Sequence, residues 1–156
     1  MKERYKVRAA VYLFLVRNNP ENELEKQILL QKRQNTGYMD NMYDACASGH
    51  LDPNESILEA IQREAKEEIC LDIDREDLQL VTTYHCSTKY NKNEAEYLKF
   101  YFSAKRWNNE PKIGESEKCS ELIWADIKNL PENTIEFLRV AISNYLKGIP
   151  YGQDEF

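Results

Sequence analysis

No apolar run in this chain exceeds eight residues, at positions 9–16. A bilayer crossing needs about 20 apolar residues, so no membrane partner is expected. The opening Met1-Lys2-Glu3-Arg4 is not followed by the apolar stretch of a secretory leader. Cysteine is sparse and scattered. Cys46, Cys70, Cys86 and Cys119 form no C-x-x-C, and only His50 and His85 add imidazole. A zinc site is therefore not expected, and reduced thiols in the cytoplasm are. Positive charge is also short: the net charge of −6 argues against binding a nucleic-acid polymer. A small anionic substrate stays compatible, provided cations offset the charge locally. Repeats, low-complexity segments and linkers are absent. With 156 residues, 42% hydrophobic and 31% charged, the chain reads as one globular domain over 1–156, a monomer or homodimer.

What is present is patterned as strands and helices. Residues 7–16 and 27–32 read as strands joined into a hairpin through Asn18-Asn19-Pro20-Glu21-Asn22. Residues 34–43 read as a surface loop and 44–48 as a short strand leading into Gly49. Residues 78–86 and 96–104 read as strands across a polar loop at 87–93. After a polar loop at 107–119 comes a last strand, 122–125. A closing helix is predicted from Asn133-Thr134 to about Leu146, with Ile135, Leu138, Ile142 and Leu146 on one face. Residues 148–156 read as irregular. The order implies an α/β fold, a mixed β-sheet between helices.

Residues 56–69 read as the other helix. Ser56 and Glu59 make an S-x-x-E capping box, and Leu58, Ile61, Ala65 and Ile69 recur at helical spacing as a buried stripe. Glu64, Glu67 and Glu68, at i, i+3 and i+4, share another face. Three carboxylates within one turn repel one another. A divalent cation removes that penalty, and hard oxygen ligands suit Mg2+ or Mn2+. Ala60, one turn earlier on that side, would leave room for a metal-bound phosphate. An isolated E-x-x-E-E helix is more often a solvated acidic face, so the flanking residues decide. Gly49 precedes Glu55 by six residues, Arg63-Glu64 begin eight residues later, and Glu67-Glu68 follow. This spacing resembles the signature box of the Nudix hydrolases, G-x5-E-x7-R-E-U-x-E-E-x-G-U, with U aliphatic. Every charged position is filled. Cys70 stands where the family has its second glycine; that glycine supplies backbone freedom at a helix end, so the departure bears on local geometry and not on the ligands.

The resemblance implies a Nudix-type α/β/α sandwich and a hydrolase that cleaves a diphosphate linkage in a nucleoside diphosphate joined to a further group. It implies Glu67 and Glu68 as metal ligands and Glu64 as a third ligand or the general base. A backbone carbonyl at Ser48 or Gly49 would complete the ion's surroundings, and Arg63 and Glu55 would pair to brace loop against helix. The segment Trp107-Asn108-Asn109-Glu110-Pro111, then Gly114-Glu115-Ser116, resembles the loop with which MutT-like members bring in a further glutamate. On that reading Glu115 is a ligand or alternative base; otherwise it is a solvated loop charge. Lys32 and Arg33 sit where similar enzymes place cations on the phosphates, although cations ending a strand also protect an edge. Asn133 resembles the asparagine that reads a base edge, its amide being both donor and acceptor, and it equally fits a helix N-cap. His50 lies beside the metal loop, as a substrate contact or a structural histidine.

Three activities fit: a nucleoside triphosphate pyrophosphohydrolase, including for oxidised nucleotides; a hydrolase of another diphosphate, such as a dinucleotide polyphosphate, a sugar nucleotide or an isoprenoid diphosphate; and a module that senses a nucleotide without turnover. A sensor is expected to lose metal carboxylates, and none is missing here.

Overall fold

The computed structural model describes residues 2–89 and 95–156. In chain order the strands are β1 (Arg8–Phe14), β2 (Val16–Asn19), β3 (Asn22–Arg33), β4 (Tyr43–Ala45) and β5 (Ala47–His50). Helix α1 (Ile57–Ile69) follows, then β6 (Leu78–Cys86), β7 (Tyr97–Ala104), β8 (Cys119–Asp126), α2 (Glu136–Lys147) and β9 (Tyr151–Gln153).

Strand β1 is apolar on both faces, the pattern of a central strand covered on two sides. Val11 and Leu13 enter one core, while Ala10, Tyr12 and Phe14 enter another. Its neighbours are β5, antiparallel, and β7, parallel. The mixed five-stranded sheet has the order β5-β1-β7-β6-β9. A second sheet is antiparallel: β3 carries β2 and β4 on one edge and β8 on the other. Helix α1 buries Ile61, Ala65 and Ile69 in the core of Val11, Leu13 and Leu29, and α2 buries Leu138, Ala141 and Ile142 in the core of Tyr12, Phe14 and Tyr101. Each fully buried Leu or Ile contributes about 1.5–3 kcal/mol. Apolar burial, not the carboxylates, therefore fixes where α1 lies. Among the described residues no helix is long and apolar enough to cross a membrane.

Both ends of α1 follow from local chemistry. The Ser56 hydroxyl accepts from the Glu59 amide and the Glu59 carboxylate from the Ser56 amide, so the expected capping box is formed. At the other end Cys70 adopts φ 57°, ψ 33°. The left-handed geometry that the missing glycine serves is thus kept with a side chain in place.

Several expectations are corrected. The strand expected over 7–16 breaks at Leu15, where the chain passes from the first sheet to the second. The single strand expected over 44–48 breaks at the buried Cys46, with β4 in the second sheet and β5 in the first. Sheet changes of this kind are set by long-range pairing and leave no local mark. The tail expected to be irregular contains β9, which pairs parallel with β6 at Thr83, Tyr84 and His85. Helix α2 starts three residues late, because the Ile135 amide donates to the Tyr43 carbonyl and Thr134 bridges to Tyr43. Asn133 is consequently not the N-cap; Ile135 takes that place without a side-chain bond. Leu146 is exposed rather than buried, and Ala141 takes its place in the core. The loop expected at 87–93 lies in part outside the described residues.

Candidate active site

The turn of α1 that carries Glu64 and Glu68 lies against β5. The Ser48 amide donates to one Glu68 oxygen at 2.6 Å and the Gln31 side chain to the other at 3.2 Å. Burial nevertheless pushes the Glu68 carboxyl up to about 8, with the Ser48 amide opposing the shift. Glu64 is also buried, and its carboxyl is raised by that burial, opposed by Arg63 and increased further by Glu67 and Glu115. Gly49 makes this packing sterically feasible: a Cβ there would lie 1.9 Å from Glu64 Oε1.

Arg63 is the brace. Its guanidinium donates to both oxygens of Glu55, at 2.7 and 3.0 Å, and to the His50 carbonyl at 3.0 Å. It also donates to Glu64 at 2.7 Å and Glu67 at 3.3 Å. Glu55 accepts in turn from the Asp52 amide. The 49–55 loop is thereby tied to α1 by bidentate, charge-assisted bonds.

A second segment brings Glu115 to the same place. The Lys112 and Gly114 amides donate to the Ile69 and Glu68 carbonyls, satisfying the open end of α1. Gly114 is required sterically, since a Cβ would fall 2.1 Å from the Glu67 carbonyl oxygen. The next residue is Glu115, paired with Lys118 at 3.0 Å.

Glu64, Glu67, Glu68 and Glu115 line one cleft of about 700 Å³, together with Gly49, His50 and Arg63. Tyr12, Tyr38, Tyr97 and Phe137 add aromatic surface to the same lining. Arg33 enters this cleft, donating to Asp44 at 3.2 Å and to Thr36 and the Tyr38 carbonyl, which shapes the 34–42 loop. Lys32, adjacent on β3, points the other way, over the ring of Tyr43. Asn133 is exposed and outside the cleft lining; its amide donates to the Asn41 carbonyl at 2.8 Å. Ala60, expected to leave room for a phosphate, is instead wholly buried in the α1 core. His50 lines the cleft and contacts the Tyr97 hydroxyl at 3.2 Å. Gln31, Asp44 and Lys99 also line it and escaped the sequence reading. The available signal was a lone charge inside an otherwise apolar strand: Lys99 in Tyr-Leu-Lys-Phe-Tyr-Phe, and Asp44 in Tyr-Asp-Ala.

Among the described residues no three acidic, imidazole or thiol groups converge tightly enough to hold an ion as they stand. Arg63 draws Glu64 and Glu67 to itself, and Glu68 turns to Ser48 and Gln31. The donor chemistry nonetheless fits a hard divalent cation, because Glu64, Glu67, Glu68 and Glu115 all offer oxygen to one cleft. Burial is the main cause of the raised carboxyls of Glu64 and Glu68, and neighbouring carboxylates add to it.

Solved structures share this arrangement of elements. A MutT NUDIX hydrolase from Burkholderia pseudomallei superposes with a TM-score of 0.73 at 21% identity, covering 89% of this chain and 98% of that one. A NUDIX hydrolase from Nitrosomonas europaea gives 0.72 at 22% identity, covering 94% and 93%. The NUDIX domain of Shewanella oneidensis NrtR, solved in complex with ADP ribose, gives 0.70 at 12%, covering 92% and 88%. At these identities the likeness shows the fold. The NUDIX domain family model matches residues 6–145, nearly the whole chain. With that match, and with Gly49, Arg63, Glu64, Glu67 and Glu68 lining one cleft, the chain belongs to the Nudix family.

Proposed function

We propose that this chain is a divalent-cation-dependent cytoplasmic hydrolase that cleaves the diphosphate linkage of a nucleoside diphosphate joined to a further group, with nucleoside triphosphates as the leading substrates. One observation carries the reading: carboxylates from two separate segments, α1 and the 112–115 loop, line one cleft that four aromatic side chains also line. Dinucleotide polyphosphates, sugar nucleotides and isoprenoid diphosphates fall within the same chemistry. Retention of Glu64, Glu67 and Glu68 favours turnover over sensing.

Attack of water on a diphosphate phosphorus is limited by charge crowding and by positioning. Glu64, Glu67 and Glu68, with a carbonyl at Ser48 or Gly49 and with Glu115, would hold Mg2+ or Mn2+, which supplies positive charge to the diphosphate oxygens. Arg63 holds Glu64 in place and keeps the Gly49 loop on the helix. Glu64 or Glu115 takes the proton of the attacking water. The tyrosines that line the cleft receive the nucleoside, and Arg33 orders the 34–42 loop beside them through Asp44, Thr36 and the Tyr38 carbonyl.

The test is a product screen across nucleoside triphosphates, dinucleotide polyphosphates, sugar nucleotides and isoprenoid diphosphates, with Mg2+ and with Mn2+. Metal-dependent release of two phosphorylated products from at least one of them is expected. Binding without turnover across the panel would replace this reading with the sensing one.

A further inference from the structure

We propose that Lys99 is a specificity-determining residue of the cleft: its ammonium donates to an oxo oxygen on a planar ring of the substrate, beside Asp44, which accepts from that ring's adjacent N–H. The inference rests on the cleft being a nucleotide site.

Lys99 lies in the middle of β7 and is only 8% exposed, yet it lines the cleft. Its ammonium sits 3.3 Å from the centroid of the Phe137 ring and 5.7 Å from that of Tyr12. Among the described residues no carboxylate pairs with it within 4.0 Å. Cys86 is its hydrogen-bonding neighbour, and Asp44 and Asp154 act on its charge from farther off; burying an ammonium with no direct ion pair is still costly, and groups of this kind concentrate at binding sites. Burial also holds the ammonium below the usual lysine range.

Strand register shows what is built around it. Ala10 pairs with His50 on one side and with Lys99 on the other. The small side chain thus forms a floor between two long ones, across three strands spaced about 4.8 Å apart. Tyr12 stands two residues along on the same face, and Tyr97 is fixed at the other end by His50 and Arg8. The result is a trough about 10 Å wide, edged by aromatic rings and suited to a flat heterocycle.

Asp44 decides which polar group the ring carries. It is 2% exposed, lines the same cleft and accepts from Arg33 and from the Ala45 amide, one bond to each oxygen. Each oxygen keeps a further lone pair. A buried anion in the recess disfavours a phosphate at Lys99, so the acceptor is an uncharged carbonyl. A donor-only group beside an acceptor-only group matches an oxo group next to a ring N–H. Uracil, thymine, hypoxanthine and guanine present that pair; adenine and cytosine do not.

The test compares kcat/KM for ITP, UTP and ATP on the wild type, Lys99→Met and Lys99→Arg, with calorimetric binding of IMP and AMP to each protein. The wild type is expected to favour ITP and UTP over ATP. Lys99→Met should reduce that preference roughly 10- to 100-fold, mainly through KM, and raise the melting temperature because a buried charge is gone. Lys99→Arg, which keeps a charged donor, should retain a preference. An equal fall across the three substrates, or no change in their ratio, overturns the proposal. If no triphosphate is turned over, the hydrolase reading fails, and the binding arm still decides on Lys99. Tighter binding of IMP than AMP by wild type, lost in Lys99→Met, supports it; equal binding, or binding of neither, overturns it. Should Lys99→Met not fold, the wild-type comparison and Lys99→Arg decide by the same criteria.

Discussion

Replacing Gly49 with alanine isolates the steric logic of the site. Gly49 is not among the residues with positive φ, so alanine meets no backbone strain there. What it meets is Glu64. The new methyl would lie 1.9 Å from Oε1 and 2.3 Å from Cδ, whereas ordinary contact begins near 3.4 Å. The carboxylate must therefore withdraw by about 1.5 Å. A free side chain would swing aside at little cost, but Glu64 is buried and held by Arg63 at 2.7 Å. Withdrawal sacrifices a charge-assisted hydrogen bond, about 1.5–3 kcal/mol, which for a domain of this size lowers the melting temperature by roughly 3–12 °C. The effect on rate is larger, since misplacing a catalytic group by about 1 Å costs on the order of a hundredfold. Thermal melting and metal-dependent product release on Gly49→Ala measure both. The double variant with Glu64→Ala should lose little beyond Glu64→Ala alone, because the clash then has no target. Wild-type turnover in Gly49→Ala, or a full additional loss in the double variant, would refute the assignment of Gly49 as the seat of Glu64.

Glu68→Gln keeps the shape and an acceptor for the Ser48 amide, with Gln31 able to turn its amide oxygen to the new NH2, while removing the charge proposed to hold the cation; turnover should fall by about two orders of magnitude or more with the fold intact, as read by kinetics at saturating Mg2+ beside a melting curve. Arg63→Ala and Glu55→Ala should each lower stability by about 1–3 kcal/mol, and a denaturation cycle should find the pair strongly non-additive. Cys70→Gly relieves a left-handed non-glycine residue at a cost in unfolded-state entropy, so denaturation should show a change within about 1 kcal/mol and kinetics no large gain. Asn133→Ala removes one exposed hydrogen bond, about 0.5–1.5 kcal/mol at most; a substrate panel should show unchanged base preference, and a flattened preference would show that the amide reaches the substrate.

Helix α1 was readable because everything that shapes it is local. Ser56 and Glu59 cap it within four residues, the apolar stripe has helical period, and Glu64, Glu67 and Glu68 must share a face once the helix forms. The Arg63–Glu55 brace was readable for the same reason, since one helix and the loop entering it hold both partners. The two-sided burial of β1 was written in its unbroken apolar run. Other features depend on residues distant in sequence. The chain changes sheets at Leu15 and Cys46 because β2 and β4 pair with β3 while β1 and β5 pair with each other, and no side chain there announces it. β9 exists because β6 leaves an open edge, and Asn133 is drawn away from the helix cap because Tyr43 pairs with the residues after it. The cleft is the clearest case. Ala10, Asp44, Lys99 and Phe137 come from four different elements, and only strand register sets a small floor beside a buried ammonium. Local spacing determined which residues carry the charge, and tertiary packing decided which space that charge faces, because side-chain direction along one segment follows its own periodicity whereas a cavity is bounded by segments whose mutual placement comes from burial.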